Sequence, residues 1–350
     1  MERRNIFKAY AARFLFLALA ASVNGAQAAS AEQALPGAKR GEAEQAQPGR
    51  LSRLVLLGTV GGPRASRYRA GPASLVQAGN QVYLVDCGDG TSQRLAASGL
   101  SPSDVGKVFL THLHFDHIAG LGPLLVYNWL GQTSKNVRPV DIYGPPGISA
   151  YVADTLQGLA IPEALYTVIK APGPTISRIA FPHDIDVTKP TVIYQDSNVK
   201  VTAVENSHYV TLDPAKRPPG AKRSYALRFD LADRSIVFTG DTGPSEAVAE
   251  LARGADILVS EVADINALLA TLRRQDPGGG DQEAAGAHMR KEHLSPEDVG
   301  ALASRAGVKM VVLSHIGGGS EDGIDMRVLT DRVRANFAGP VIAGRDGDEF

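Results

Sequence analysis

The stretch Lys107–Gly120, Lys-Val-Phe-Leu-Thr-His-Leu-His-Phe-Asp-His-Ile-Ala-Gly, constrains this chain more than any other. It opens as a short apolar run, Val108 to Leu110, of the kind that forms a buried strand. It closes on Gly120, suited to a turn or a close backbone approach. Between them stand His112, His114, Asp116 and His117, so three of the chain's eight histidines fall within six residues. Imidazole nitrogens and a carboxylate oxygen are the donors preferred by zinc and similar divalent ions. If strand geometry continues past Leu110, His112 and His114 point to one side and can hold one ion. Asp116 and His117 lie where the chain turns and can reach a second.

Thr111–His117, Thr-His-Leu-His-Phe-Asp-His, resembles the signature of the metallo-β-lactamase fold superfamily. The resemblance spans roughly residues 53–343 and implies an α/β fold, the four-layer αββα sandwich. Its ligands would come from strand ends of two similar halves and meet at one edge of the packed sheets. The rest of the chain supplies candidates in suitable places. Val199–Val204 reads as a strand that delivers Glu205-Asn206-Ser207-His208, and His208 is the third imidazole for the first ion. Ser235–Phe238 ends in Thr239-Gly240-Asp241-Thr242-Gly243, and Asp241 is the expected bridging carboxylate. Val308–Leu313 ends in Ser314-His315, and His315 completes the second site. The expected assignment is His112, His114 and His208 to one ion, Asp116, His117 and His315 to the other, and Asp241 to both. Zinc is the first choice for both ions, with manganese or iron open at one position.

Glu261 closing a strand, followed by His293-Leu294-Ser295 before a helix, resembles the Glu and His-Ser-Thr pattern of ribonuclease Z and its relatives, which include metal-dependent arylsulfatases and class II cyclic-nucleotide phosphodiesterases. The resemblance implies that His293 contacts the scissile ester oxygens, that Glu261 orients His293, and that Asp116 assists proton transfer. The chemistry agrees: a cationic His stabilises developing negative charge, and a carboxylate fixes its tautomer. Two close divalent ions sharing one water lower its pKa enough for hydroxide to exist at neutral pH. The chain departs from the group after the last ligand, where Ile316-Gly317-Gly318-Gly319-Ser320 replaces a polar Arg/Tyr motif.

Charge and the N-terminus shape the expected substrate. A net charge of −1 gives no electrostatic reason to expect nucleic acid. Arg3, Arg4, Lys8 and Arg13 precede the apolar segment Phe14–Val23, which is too short to span a bilayer, and Ala26-Gln27-Ala28 is an A-x-A cleavage site. Residues 1–28 therefore read as a signal peptide cut after Ala28, 29–50 as a disordered linker, and 51–350 as the hydrolase domain of a periplasmic or secreted protein. Cys87 is the only cysteine, so no internal disulfide can form, and its place at a strand end reads as a buried structural thiol.

The expected function is hydrolysis of a small-molecule sulfate or phosphate (di)ester, with nucleic acid disfavoured as a partner and a homodimer left open. The rivals are a lactonase or β-lactamase acting on a carbonyl, and a metal-stabilised binding protein without turnover.

Asp86, ending an apolar strand, orients the metal loop. Trp129 lines either a substrate mouth or the core. Residues 160–196 form an insertion over one rim, with His183 a surface-loop residue. Asp213–Arg223 is a basic loop, solvated or steering anions. Ser295-Pro296 caps and starts a helix that Gly307 stops.

Overall fold

The computed structural model describes residues 51–170, 173–217, 222–275, 282–318 and 325–350. The signal peptide and linker readings, positions 218–221 of the basic loop, and Gly319-Ser320 lie outside the described residues. Among the described residues, no helix is long and apolar enough to cross a membrane.

Two sheets stack face to face. The first has the order β1 (Arg53–Gly58), β2 (Ala73–Ala78), β3 (Gln81–Val85), β4 (Val105–Phe109), β5 (Val140–Gly144), β6 (Ala180–Asp184). It begins as an antiparallel meander and turns parallel from β3 onward. The second runs from β7 (Thr191–Gln195) through β8 (Val199–Glu205), β9 (Tyr225–Leu231), β10 (Ser235–Phe238), β11 (Ile257–Ala263) and β12 (Met310–Gly317) to β13 (Val341–Ala343), antiparallel up to β10 and parallel beyond it. Strand alternation explains why the inner strands read as almost unbroken apolar runs. In β1, Leu54 and Leu56 face the second sheet, while Val55 and Leu57 face the outer helices.

The helices supply the outer layers. On the first sheet lie α1 (Thr91–Ala97), α2 (Phe115–Ile118), α3 (Leu121–Leu130) and α4 (Ile148–Thr167). Leu95, Leu124, Leu125, Trp129 and Val152 from this layer pack on Leu84, Val108 and Ile142 of the sheet. On the second lie α5 (Glu246–Leu251), α6 (Ile265–Gln275), α7 (Gln282–Glu292), α8 (Pro296–Ala306) and α9 (Met326–Arg334). Val248, Val299, Leu302, Leu329 and Val333 cover Val237, Leu258 and Val311. The architecture is the expected αββα sandwich. Between the sheets, Phe109 meets Phe229 edge-on at 5.4 Å and stacks on Tyr143 at 5.0 Å. Truncation of Phe229, fully buried here, is expected to cost about 3–5 kcal/mol; chemical denaturation of Phe229→Ala checks this, and an unchanged midpoint would place the load elsewhere.

The structure revises some local expectations and bears out others. Residues 160–196 are not a structureless rim. α4 continues to Thr167 through Pro162, and β6 and β7 are the outer strands of the two sheets. Edge strands are half exposed and tolerate Pro182, so their period is faint. His183 accordingly sits in β6, 2.8 Å from Asp141 and stacked on Tyr143, rather than in a loop. Trp129 is a core residue whose Nε1–H donates to the Pro174 carbonyl. Cys87 is buried, and burial pushes its thiol up to about 12. α5 is capped by Ser245, whose side chain accepts from the Val248 amide. α8 begins with a reciprocal Ser295–Asp298 capping box and ends at Gly307 in the left-handed region, as expected.

Candidate metal centre

The parallel strands end on one edge of the sandwich, and the histidines and acids gather there. β4 stops at Phe109, so the alternation expected for His112 and His114 is not that of a strand. The chain instead turns through Thr111 into α2, whose single turn carries Asp116 and His117. Asp86, just past β3 with φ +58°, shapes this turn. Its Oδ1 accepts from the Thr111 amide at 2.8 Å, and its Oδ2 accepts from His117 Nδ1 at 2.9 Å. That bond leaves His117 Nε2 facing the centre.

His112, His114, His208 and Asp241 form one compact donor group; Asp116, His117 and His315 form another; Asp241 also reaches His315 and Glu261. His208 Nε2 lies 3.1 Å from His114 Nδ1. Asp241 Oδ2 lies 3.8 Å from His112 Nε2, 4.0 Å from His208 Nε2 and 3.3 Å from His315 Nε2, while its Oδ1 lies 3.4 Å from His117 Nε2. His315 Nε2 is 3.2 Å from Asp116 Oδ2. All seven side chains singled out as ligands therefore converge, in the two sets expected, with Asp241 between them.

The polar atoms of the donor set themselves fit divalent ions. His112 Nε2, His117 Nε2 and Asp241 Oδ1 are buried with no hydrogen-bond partner. Each such atom costs about 1–3 kcal/mol if left unsatisfied, and all three turn toward the shared space. Protonation agrees. Burial drives His112 well below its ordinary pKa and His208 down to about 3, so both keep a lone pair for a ligand. Burial opposes the charge on Asp241, yet His315 and His117 hold its carboxyl well below the usual range.

Glu261 and His293 stand beside this group. Glu261 lies inside β11 rather than at its end, where a register shift between Ser260 and Val262 turns it toward the site. Its Oε2 accepts from His293 Nδ1 at 2.8 Å, and its Oε1 accepts from the Thr242 amide next to Asp241. Burial alone would lower His293, but the Glu261 carboxylate raises it to about 9. The His293 ring is 5.1 Å from that of His208. His315 likewise sits inside β12 at φ +43°, not after its end.

Some supports escaped the sequence reading. The Glu292 carbonyl accepts from His208 Nδ1 at 3.0 Å, and Asn206 clamps the Thr239 carbonyl and the His208 amide. The Tyr209 ring packs on His114 and His208. Asn206 in the polar run before His208 was the one available signal; a backbone carbonyl carries none. In the basic loop, Arg223 is held by Asp186 and Glu205.

Replacing Asp86 by Ala frees His117 Nδ1 and the Thr111 loop. Metal affinity should fall about 10- to 100-fold, read by chelator competition; an unchanged affinity would leave Asp86 a purely local brace.

Buried, paired donor sets with a carboxylate between them are the equipment of a metal-dependent hydrolase, and this chain is one, acting on ester bonds. Its family follows from its relatives. The family model of the beta-lactamase superfamily domain matches residues 81–316, and the chain belongs to that superfamily. It is 34% identical over 301 residues to the ribonuclease Z of Mycolicibacterium paratuberculosis (strain ATCC BAA-968 / K-10), covering 84% of this chain and 95% of that protein. Among solved structures it resembles the metallo-beta-lactamase fold protein YhfI from Bacillus subtilis, with a TM-score of 0.60, 20% identity, and 86% and 100% of the two chains covered. It also resembles Zn(2+)-bound PqqB from Methylobacterium extorquens, with a TM-score of 0.58, 18% identity, and 85% and 98% covered.

Proposed function

We propose that the protein is an exported hydrolase of small-molecule phosphate or sulfate esters, holding two zinc ions. His112, His114 and His208 would hold one ion, Asp116, His117 and His315 the other, and Asp241 both. The observation that carries this reading is the set of buried, unpartnered donor atoms around Asp241. When bound, such ions lower the pKa of a water and polarise an ester's oxygens.

The chain's own residues do the rest. Asp116, whose Oδ2 lies 3.2 Å from His315 Nε2, takes the proton lost by the attacking water. His293, held by Glu261 at 2.8 Å, presents its Nε2 to the departing ester oxygen and donates its proton there. The Glu261 carboxylate keeps that proton available and ties His293 to the loop that carries Asp241. A tetrahedral phosphoryl or sulfuryl centre suits this pairing, because charge builds on a leaving oxygen that needs a proton donor.

Export rests on the basic, apolar and Ala-x-Ala run of residues 3–28. The near-zero net charge favours a small ester over a polynucleotide, although the ribonuclease Z relative bears the name of an enzyme of RNA. Purified, metal-loaded protein offered aryl sulfate, bis-aryl phosphate, lactone, cephalosporin and transfer-RNA precursor decides among these. Turnover of the first two supports the reading; selective cleavage of the RNA, or of lactone or lactam, replaces it. Residues 1–28 are tested by N-terminal sequencing of the protein from the periplasm or medium, where a start at Ala29 is expected.

A further inference from the structure

A cavity of about 500 Å³ opens beside the metal centre, with His293 and His315 in its wall. Its far side is apolar. Leu268 and Thr271, three residues apart on α6 and so on one face of the helix, stand opposite Met289 of α7, and Ala263 forms part of the base. Its near side is backbone. The Gly61 amide donates to the Ile316 carbonyl at 3.0 Å, bringing the loop after β1 against the end of β12. A Cβ on Gly61 would come within 2.6 Å of the Gly317 nitrogen, so that contact requires glycine. Gly317 differs: a Cβ there would meet nothing closer than 3.7 Å, and its nearest neighbours would be the Ala263 side chain of the same cavity and the Val262 carbonyl.

A second cavity, of about 700 Å³, lies on the Asp116 side and is richer in cationic side chains. Arg64, Arg67, Arg69 and Arg94 line it, together with Asp89 and Phe115. Arg64 belongs to both walls. The reacting centre thus sits between an arginine-rich space and one whose α6–α7 wall is largely apolar, and the proton donor His293 is on the latter side.

Resting on the ester reading above, we infer that the cavity between α6, α7 and Gly317 receives the leaving group of the substrate, and that this group is a bulky apolar or aromatic alcohol. In the step, water adds its oxygen to phosphorus or sulfur, and the bond from that atom to the leaving oxygen breaks. The electron pair stays on the leaving oxygen, which takes the His293 proton; the water's proton passes to Asp116. The products are the free alcohol in the apolar cavity and the acid on the arginine side.

The test uses the metal-loaded mature chain and two phosphate diesters that differ only in the leaving phenol, phenyl against 2-naphthyl, compared after correction for leaving-group acidity. The naphthyl ester should be favoured in kcat/KM by roughly tenfold from the added apolar area. Gly317→Leu, which fills the cavity, should bring that ratio close to one. Met289→Ala, at a half-buried helix position, should lower it several-fold and serves if the glycine variant fails to fold. Calorimetric titration with 2-naphthol reads the same cavity without turnover, and its binding should be lost in Gly317→Leu at equal metal content. An active wild type with no naphthyl preference, or a preference indifferent to both substitutions, overturns the leaving-group pocket and spares the ester reading. A wild type inert to every ester that still binds 2-naphthol through Gly317 overturns the ester reading and, with it, the leaving-group role.

Discussion

Asp241→Ala is expected to release at least one metal ion per chain and to lower turnover by about a thousandfold or more, equivalent to about 4 kcal/mol of transition-state stabilisation. The magnitude follows from position. One oxygen of this carboxylate lies 3.3–4.0 Å from the nitrogens of His315, His112 and His208, and the other lies 3.4 Å from His117. Among the described residues, no other carboxylate stands between the two sets of imidazoles in this way. Without it, two cations would face one another with no shared anion, and their repulsion at a few ångströms in a buried setting is large. Elemental analysis of the purified variant is the measurement. Full occupancy of both sites would contradict the bridging role directly, whatever the activity. Asp241→Asn gives a finer comparison, because it keeps the shape and removes the charge.

His293→Ala should separate binding from chemistry. His293 lies outside both ligand sets and meets the centre through Glu261 and through ring contacts with His208 and His315. Metal content should therefore stay at the wild-type value while kcat falls about 10²- to 10⁴-fold, the usual worth of a positioned proton donor. KM should move little. Glu261→Gln should show a smaller kcat loss together with some loss of metal, because Glu261 also holds the Thr242 amide beside Asp241. Unchanged kcat in His293→Ala would remove this residue from the reaction. A loss of kcat that tracks a loss of metal would make it a structural support instead. Esters with very acidic leaving alcohols need little protonation, so the defect should shrink along a series of increasingly acidic phenols.

The legible parts of the molecule share a physical character. β1, β2, α3 and α8 each carry their own signal: a two-sided apolar run, a short run closed by Gly79-Asn80, glycines at both ends, and a Ser-Pro start with a Gly stop. Such elements are specified by neighbours in the chain. β6, β7 and the second half of α4 are not, because they lie at sheet edges or on the surface and bury few side chains. α6 carries an apolar stripe of its own, Ile265, Leu268 and Leu269 at helical spacing, which the reading passed over; α7 carries a weaker one, and its Met289 packs on that stripe beside Ala263. Glu261 and His315 were expected after strands and lie within them, since a shift in pairing between β11 and β12 is a property of two strands, not of one.

The sequence by itself determined the donor types and their local order. His112, His114, Asp116 and His117 are bound into one short turn, so their spacing alone brings them to a common point, and plainly apolar runs lead into Asp241 and His208. Only the tertiary structure decided which atoms face the ions and what surrounds them. The Asp86 and Glu292 contacts that fix the ring nitrogens of His117 and His208 link positions 31 and 84 residues apart. The two cavities exist because the glycine loop after β1 meets the end of β12, where the Gly62 amide approaches His315 across 253 residues of chain. Such contacts depend on sheet register and layer packing, which pairwise spacing along a chain does not encode.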